Sequence, residues 1–373
     1  MTVFISDLVI DGFRALVDLR IASLGRVNLI TGTNNSGKST LLEAIRILVT
    51  GGALRTLYDI LSYREELGSA NDSERSYSPT DLAPFCNLFT GFPDLSSSKH
   101  GFSIAATGSL PSSISRISAS INWFIRKNDP DRQGFSYEAA SGDLFGDVDA
   151  FPALDLDISG RKRVVPLDRI QRRYPMRTES ESAVVACVYL DPFSSRSTSQ
   201  MGALWDSIAL TDVEEQIVKA LKIISNDIQA VSMIGSDERS TRSRTAIAKS
   251  KHYPSPVPLR TFGDGVNRLF GVILSLCNAR NGVLLVDEIE NGLHYSVQTE
   301  IWRTIFNLAK DLDVQVFATS HSWDCVRAFQ EAASESPEEG VLVRLSRRGE
   351  KVIPTLFTEK ELELVTRDHI EVR

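Results

Sequence analysis

Arg26-Val27-Asn28-Leu29-Ile30-Thr31-Gly32-Thr33-Asn34-Asn35-Ser36-Gly37-Lys38-Ser39-Thr40 joins a strand-like run to a helix through a glycine-bracketed loop. The first five residues read as a strand entering a core. From Ser39 onward, Leu41, Leu42, Ile45, Leu48 and Val49 fall on one helical stripe, which Gly51-Gly52 stops. Between the two, Gly32 to Ser39 satisfies G-x-x-x-x-G-K-[ST] at every fixed position. The glycines let the backbone curl so that its N–H groups and the helix N-terminus face an anion. Lys38 adds a point charge for the β- and γ-phosphates. Ser39 offers a hydroxyl to Mg²⁺, a hard cation that prefers oxygen, and Thr40 is placed for the α-phosphate. Gly32, Thr33, Asn34, Asn35, Ser36, Gly37, Lys38, Ser39 and Thr40 are therefore the candidate nucleotide-binding residues, with ATP and Mg²⁺ the expected ligands.

Three further stretches belong at the same end of a parallel sheet, where ligands of open α/β folds bind. Val283-Leu284-Leu285-Val286-Asp287-Glu288 is an apolar strand ending in two acids. Asp287 is expected to hold Mg²⁺ and Glu288 to polarise the attacking water. Val316 to Ser322 is another strand, and it ends at His321, within reach of a γ-phosphate. Lys38, Glu288 and His321 are the candidate catalytic residues, and Ser39 and Asp287 the candidate metal ligands. The turn Thr261-Phe262-Gly263-Asp264-Gly265-Val266-Asn267-Arg268 opens a second helix. One nucleotide cannot easily lie against two such loops of the same sheet. Gly263, Asp264, Gly265, Asn267 and Arg268 are therefore assigned to a nucleotide bound by another copy, which predicts a head-to-tail homodimer or higher homo-oligomer.

The rest of the chain fits this frame. Alternating helix and strand from Val266 to Glu331, with strand-like Val341 to Leu345 and Val352 to Leu356, predicts an α/β P-loop architecture. Its sheet is mixed and flanked by helices. Residues 51–179, rich in Ser, Pro, Asp and Gly, read as a β-rich insertion into an ATPase domain formed by 1–50 and 180–373. Thr211 to Ile228 reads as one amphipathic helix with a capping box from Thr211 to Glu214, part of a helical lobe. Residues 237–251 carry several arginines and lysines without apolar period and read as a solvated loop. This loop, from 239 to 251, and segment 161–177, with seven basic residues against Asp168 alone, are the two candidate nucleic-acid contacts.

Bulk properties narrow the class. Hydrophobic residues make up 42% and charged residues 24% of the 373, the balance of a globular protein. The net charge of −7 gives no global attraction to nucleic acid. No apolar run approaches the roughly 18 to 20 residues of a membrane span, and the acids Asp7 and Asp11 argue against a secretory signal. A cytoplasmic location without membrane contact is expected. Cys86, Cys187, Cys277 and Cys325 are too scattered for a zinc site and read as buried thiols.

The set TGTNNSGKST, FGDGVNRL, VLLVDEIENGLH and ATSHS, with Phe13-Arg14 upstream, resembles the ABC-type ATPase domain of the overcoming-lysogenization-defect family and its AAA-named relatives. The likeness covers about residues 1–50 and 180–357. It implies that Phe262 to Arg268 stand for the signature loop, Asn291 to His294 for the D-loop and His321 for the switch histidine. The signature departs from Leu-Ser-Gly-Gly-Gln, and Asp264 or Asn267 would replace its serine; Gln200 is the candidate Q-loop glutamine. Larger members carry a C-terminal nuclease domain, for which the 16 residues after Phe357 leave no room, so a nuclease or other effector is expected to be a separate protein. The resemblance implies a nucleotide-gated switch acting in defence against phage. The alternative is a DNA-repair or DNA-clamping ATPase similar to chromosome-maintenance heads, which carry coiled coils that have no heptad counterpart here. A transporter motor and a small-molecule kinase fit the motifs less well.

Overall fold

The computed structural model describes residues 3–67, 84–93, 101–129, 134–140, 150–171, 185–192, 198–235, 244–336, 339–358, 361, 362 and 364. The chain begins with a hairpin, β1 (Asp7–Phe13) and β2 (Leu16–Ile21), then runs through β3 (Val27–Thr31) into α1 (Lys38–Val49) and α2 (Leu54–Tyr63). Five strands follow: β4 (Gly101–Thr107), β5 (Arg116–Asp129), β6 (Gly134–Ala139), β7 (Ala150–Ile158) and β8 (Arg161–Pro166). After the short α3 (Leu167–Gln171), β9 (Ala186–Leu190) enters the second sheet. A lobe is built from α4 (Thr198–Asp206), α5 (Asp212–Leu221), β10 (Ile228–Gly235), β11 (Arg244–Ser250) and β12 (Val257–Pro258). The chain then alternates α6 (Asp264–Asn278), β13 (Gly282–Val286), α7 (Tyr295–Asp311), β14 (Val314–Thr319), α8 (Trp323–Ala333), β15 (Gly340–Arg348) and β16 (Lys351–Phe357).

The six-stranded sheet has the order β16-β15-β3-β14-β13-β9 and is parallel except at the β15–β16 hairpin. Its three central strands, β3, β14 and β13, are buried at every residue, because a parallel sheet is covered on both faces. The period of two shows in which core each side chain enters. Leu284 and Val286 pack with α6, α7 and α8, whereas Val283 and Leu285 pack with α1 and α2. That second core is closed by the other large sheet, so α1 is sandwiched between the two.

The antiparallel sheet has the order β2-β1-β4-β5-β7-β8, with β6 paired to β5. β4 pairs along β1 from Asp7↔Thr107 to Asp11↔Ser103, so the strands of 101–166 extend the sheet that the N-terminal hairpin starts. In this core Arg14 pairs with Glu43 of α1 at 3.0 Å and with Glu66 at 2.7 Å, and Arg64 reaches Glu43 at 2.6 Å. These pairs tie the N-terminal hairpin to the helix that begins at the phosphate loop.

Two expectations are corrected in the lobe. The helix from Thr211 ends at Leu221, and Ile228 opens β10, because Ser225-Asn226-Asp227 favour a turn. Thr211 does not cap it: its hydroxyl donates to the Ile208 carbonyl, and Glu214 accepts from Leu210 N. The basic segment 239–251 is a strand from Arg244 to Ser250, since β10 supplies an antiparallel partner, and Arg244 is spent on Asp206. Residues 236–243 lie outside the described residues, as do 172–177 of the other basic segment, whose described part forms β8 and α3. Among the described residues no helix is long and apolar enough to cross a membrane. All four cysteines are free thiols, Cys277 and Cys325 buried as expected but Cys86 and Cys187 only half-buried.

Candidate nucleotide site

β3 ends at Thr31, and the loop turns back through backbone that favours glycine: Gly32 at φ 147°, Asn35 at φ 63° and Gly37 at φ 94°. At Gly32 the requirement is also spatial, since a Cβ would stand 2.4 Å from the Leu345 carbonyl oxygen and 2.6 Å from Ser36 Oγ. Gly37 caps α1 without a side-chain bond, which leaves the first N–H groups of the helix facing the loop's concavity. Ser36 is buried, and its Oγ makes no hydrogen bond among the described residues, an orphaned donor in the cradle. Lys38 arches over the loop, donating from Nζ to the carbonyls of Gly32 at 2.7 Å and Thr33 at 3.0 Å. Burial pushes its ammonium pKa down, while Asp287, Glu288 and Glu290 pull it back up.

Those acids come from the end of β13. Asp287 is buried, and the Thr319 hydroxyl at the end of β14 donates to its Oδ1 at 2.5 Å. The same hydroxyl accepts from Glu288 N at 2.8 Å, so one side chain fixes both acidic positions. Glu288 sits at φ 48°, a backbone conformation that side chains rarely adopt and that functional sites retain at a cost of about 1–3 kcal/mol. Asn291 holds its carboxylate, Nδ2 to Oε2 at 2.8 Å.

His321 follows β14 with half of its side chain exposed, and its Nδ1 lies 3.3 Å from Glu290 Oε1. Lys38, Asp287, Glu288 and His321 thus stand beyond the C-terminal ends of three adjacent strands, β3, β14 and β13, as expected for this architecture. Ser39 and Asp287 offer oxygen donors of the kind Mg²⁺ takes. No cluster of three or more His, Cys, Asp or Glu suited to a metal occurs among the described residues, and a cation that borrows phosphate oxygens needs none.

The second glycine turn is built differently. Gly263 lies at φ 102°, exposed, with nothing within 4 Å of a Cβ placed there. Asp264 is exposed, its carboxylate 3.8 Å from Arg260. Gly265 packs on the loop after β13, where a Cβ would meet the Gly292 carbonyl oxygen at 2.8 Å. Asn267 is half-buried one turn into α6, its N–H bonded to the Gly263 carbonyl at 3.4 Å. Arg268 is corrected: it turns inward at 2% exposure and is no surface contact. Its guanidinium donates to the carbonyls of Asp191 at 2.9 Å, Asp287 at 2.8 Å and Glu288 at 3.1 Å. A fixed fork of donors suits three converging carbonyls, so Arg268 braces the acidic turn from behind.

Thr319 and Glu290 lie inside the quoted motifs without a role of their own, and Asp191 lies outside them; all three act on residues distant in sequence. Tyr63, at the end of α2, has its phenol pushed up to about 12 by burial and by Asp191, Asp287 and Glu288, which places it at the acidic edge. A strand-end run of Asp-Glu-x-Glu was the visible signal for Glu290. The side chain of Gln200 lies outside the described residues.

A cradled phosphate loop, a paired-acid strand end and a histidine just past the neighbouring strand, all on one parallel sheet, are the architecture of a P-loop ATPase. Comparison with known proteins agrees at that level. An "AAA ATPase domain" model matches residues 196–326 and an "AAA domain" model residues 7–81. A Helicobacter pylori protein named ATP/GTP phosphatase is 25% identical over 378 residues, covering 95% of each chain. An uncharacterized protein of Methanocaldococcus jannaschii is 32% identical over 95 residues, 25% of this chain and 82% of its own. Among solved structures, an Smc head bound to the C-winged helix domain of ScpA superposes with a TM-score of 0.53 at 12% identity, over 95% of this chain and 98% of that one. The fold is that of a P-loop NTPase resembling an SMC head.

Proposed function

We propose that this chain hydrolyses ATP with Mg²⁺ and serves as a nucleotide-gated switch, two copies closing head to tail so that a partner effector is held differently in each state. The observation that carries the reading is the meeting of Lys38, Asp287, Glu288 and His321 at the ends of adjacent strands, with the Thr319 hydroxyl locking both acids in place. In this reading the loop N–H groups and Lys38 bind the triphosphate. Glu288, held by Asn291, orients and deprotonates the attacking water, and His321 contacts the γ-phosphate. Mg²⁺, held by Ser39 and Asp287, would neutralise charge on the β- and γ-phosphates. The name of the Helicobacter relative and the AAA-type matches support nucleotide hydrolysis.

Gly263, Asp264, Gly265 and Asn267 are assigned to the nucleotide of a second copy, because they stand exposed or half-exposed at a helix N-terminus beside the D-loop. A head of similar fold is bound to a winged-helix domain, which favours a protein partner for this chain as well. The resemblance to the overcoming-lysogenization-defect family assigns that partner to phage defence, a nuclease or another effector in the cytoplasm. Arg161, Lys162, Lys249 and Lys251 are exposed and remain the candidate nucleic-acid contacts.

The test is the mass of Glu288→Gln protein by multi-angle light scattering, with and without Mg-ATP. We expect ATP to double it. A mass that stays monomeric while ATP is bound refutes head-to-tail closure.

A further inference from the structure

Glu290 belongs to none of the roles assigned so far, yet its carboxylate joins the loops beyond two strands. One oxygen, Oε1, accepts from Ser320 Oγ at 2.8 Å and from His321 N at 2.9 Å, with His321 Nδ1 3.3 Å away. Ser320 N in turn bonds the Ile30 carbonyl on the strand that feeds the phosphate loop, so the loops after β3, β13 and β14 form one linked set. The N-terminus of α8 does not need this carboxylate, because Ser322 caps it by accepting from Cys325 N.

The other oxygen has no partner among the described residues. Glu290 Oε2 is buried and orphaned, and so is Gln298 Oε1 on α7. Gln298 Nε2 donates to the Leu293 carbonyl at 3.1 Å, which turns its amide oxygen the other way. Both residues line the same small cavity, with Ile289, Leu293, Trp302 and Cys325, and its volume of about 10 Å³ suits one water. Two buried acceptors on residues that line one such space can be satisfied by a single donor of two hydrogens, and buried orphaned oxygens of this kind call for such a partner.

We propose that Glu290, backed by one buried water shared with Gln298, is the positioning residue that fixes Ser320 and His321 at the phosphate edge. The carboxylate orients the imidazole through Nδ1 and leaves Nε2 facing the phosphates, as the bond made by one ring nitrogen sets the role of the other. The effect on turnover rests on the ATPase reading above; the orientation of the ring does not.

Three variants of the full-length protein test it: Glu290→Met, Glu290→Gln and Gln298→Met. Methionine keeps volume and removes the acceptors. Glutamine keeps an oxygen for Ser320 and His321, and turns an N–H₂ toward Gln298 in place of the water. We expect Glu290→Met to lower kcat about thirtyfold, the scale seen when the outer partner of a working histidine is removed, with ATP affinity within threefold of the parent. Glu290→Gln should recover about tenfold of that loss, and Gln298→Met should fall between. Long-range ¹H–¹⁵N NMR of the nucleotide-free protein, assigned with His321→Asn, should show the neutral His321 ring protonated on Nδ1 in the parent and as a tautomer mixture in Glu290→Met. Unchanged kcat in Glu290→Met, a Glu290→Gln variant as impaired as Glu290→Met, or an unchanged tautomer overturns the proposal. Should the parent protein fail to hydrolyse ATP, the ring tautomer still decides the role of Glu290 separately.

Discussion

Two helices of this protein, α1 and α6, begin at a glycine of positive φ with no side-chain cap, and they use that shared device to opposite ends. At α1 no acid lies in the first turn, Lys38 stands over the loop, and the buried Ser36 hydroxyl is left for a ligand. Every local choice there leaves the helix dipole and N–H groups to an outside anion. At α6 the chain supplies its own anion, since Asp264 occupies the first turn where a helix N-terminus favours a carboxylate. The basic residue of that turn, Arg268, is buried and spent on three carbonyls. A glycine turn before a helix therefore offers a binding geometry, and the neighbouring charges decide whether it binds strongly by itself or only against a surface that another copy completes.

That contrast can be tested at five positions. Lys38→Ala should lower ATP hydrolysis by at least about 10²-fold, the scale of losing one preorganised charge from an active site; unchanged phosphate release would remove α1's claim to the nucleotide. Arg268→Met should cost about 2–4 kcal/mol in urea denaturation, because it leaves the carbonyls of Asp191, Asp287 and Glu288 without their donor. A variant as stable as the parent would return Arg268 to the surface. Alanine at Gly37 or at Gly263 should cost about 1–3 kcal/mol each, both backbones being poorly suited to a side chain. Isothermal calorimetry should separate them: weaker ATP binding for Gly37→Ala, unchanged binding by the single subunit for Gly263→Ala. Equal losses of affinity would abolish the distinction. Asp264→Asn should have the smallest effect, about 0.5 kcal/mol of stability by thermal melting, since the carboxylate is exposed and only favours the dipole.

The parts of the molecule that local pattern controls were readable from the residues. The phosphate loop, the Asp287-Glu288 strand end and the His321 strand each pair an apolar run with the chemistry that terminates it, and each lies where the motif places it. What escaped depends on pairing across long separations. Residues 51–179 read as a β-rich insertion, and nothing in their alternation reveals that Asp7 lies opposite Thr107, so that the strands of 101–166 extend the sheet of the N-terminal hairpin. Segment 237–251 reads as a loop because its basic residues conceal the strand from Arg244 to Ser250, whose partner β10 opens at Ile228, where the expected helix ends. Glu290 was invisible as a positioning group because Ser320 and His321 come some thirty residues later, on the next strand's loop. Arg268 shows the opposite error: a glycine turn reads as exposed, yet one turn into α6 the helix is enclosed.

The position of β3 in its sheet has a consequence for the ribosome. The strand that carries the phosphate loop is synthesised well before its neighbours β14 and β15, and Asn28 bonds the Val316 carbonyl across a separation of 288 residues. At about 5–20 residues per second that partner emerges roughly 15 to 60 s later. During that interval the hairpin of β1 and β2 can be completed by β4 and the strands after it, all of which appear earlier. The antiparallel sheet is thus a natural scaffold on which a nascent chain can wait, with its phosphate loop made but its sheet incomplete, until β13, β14 and β15 arrive.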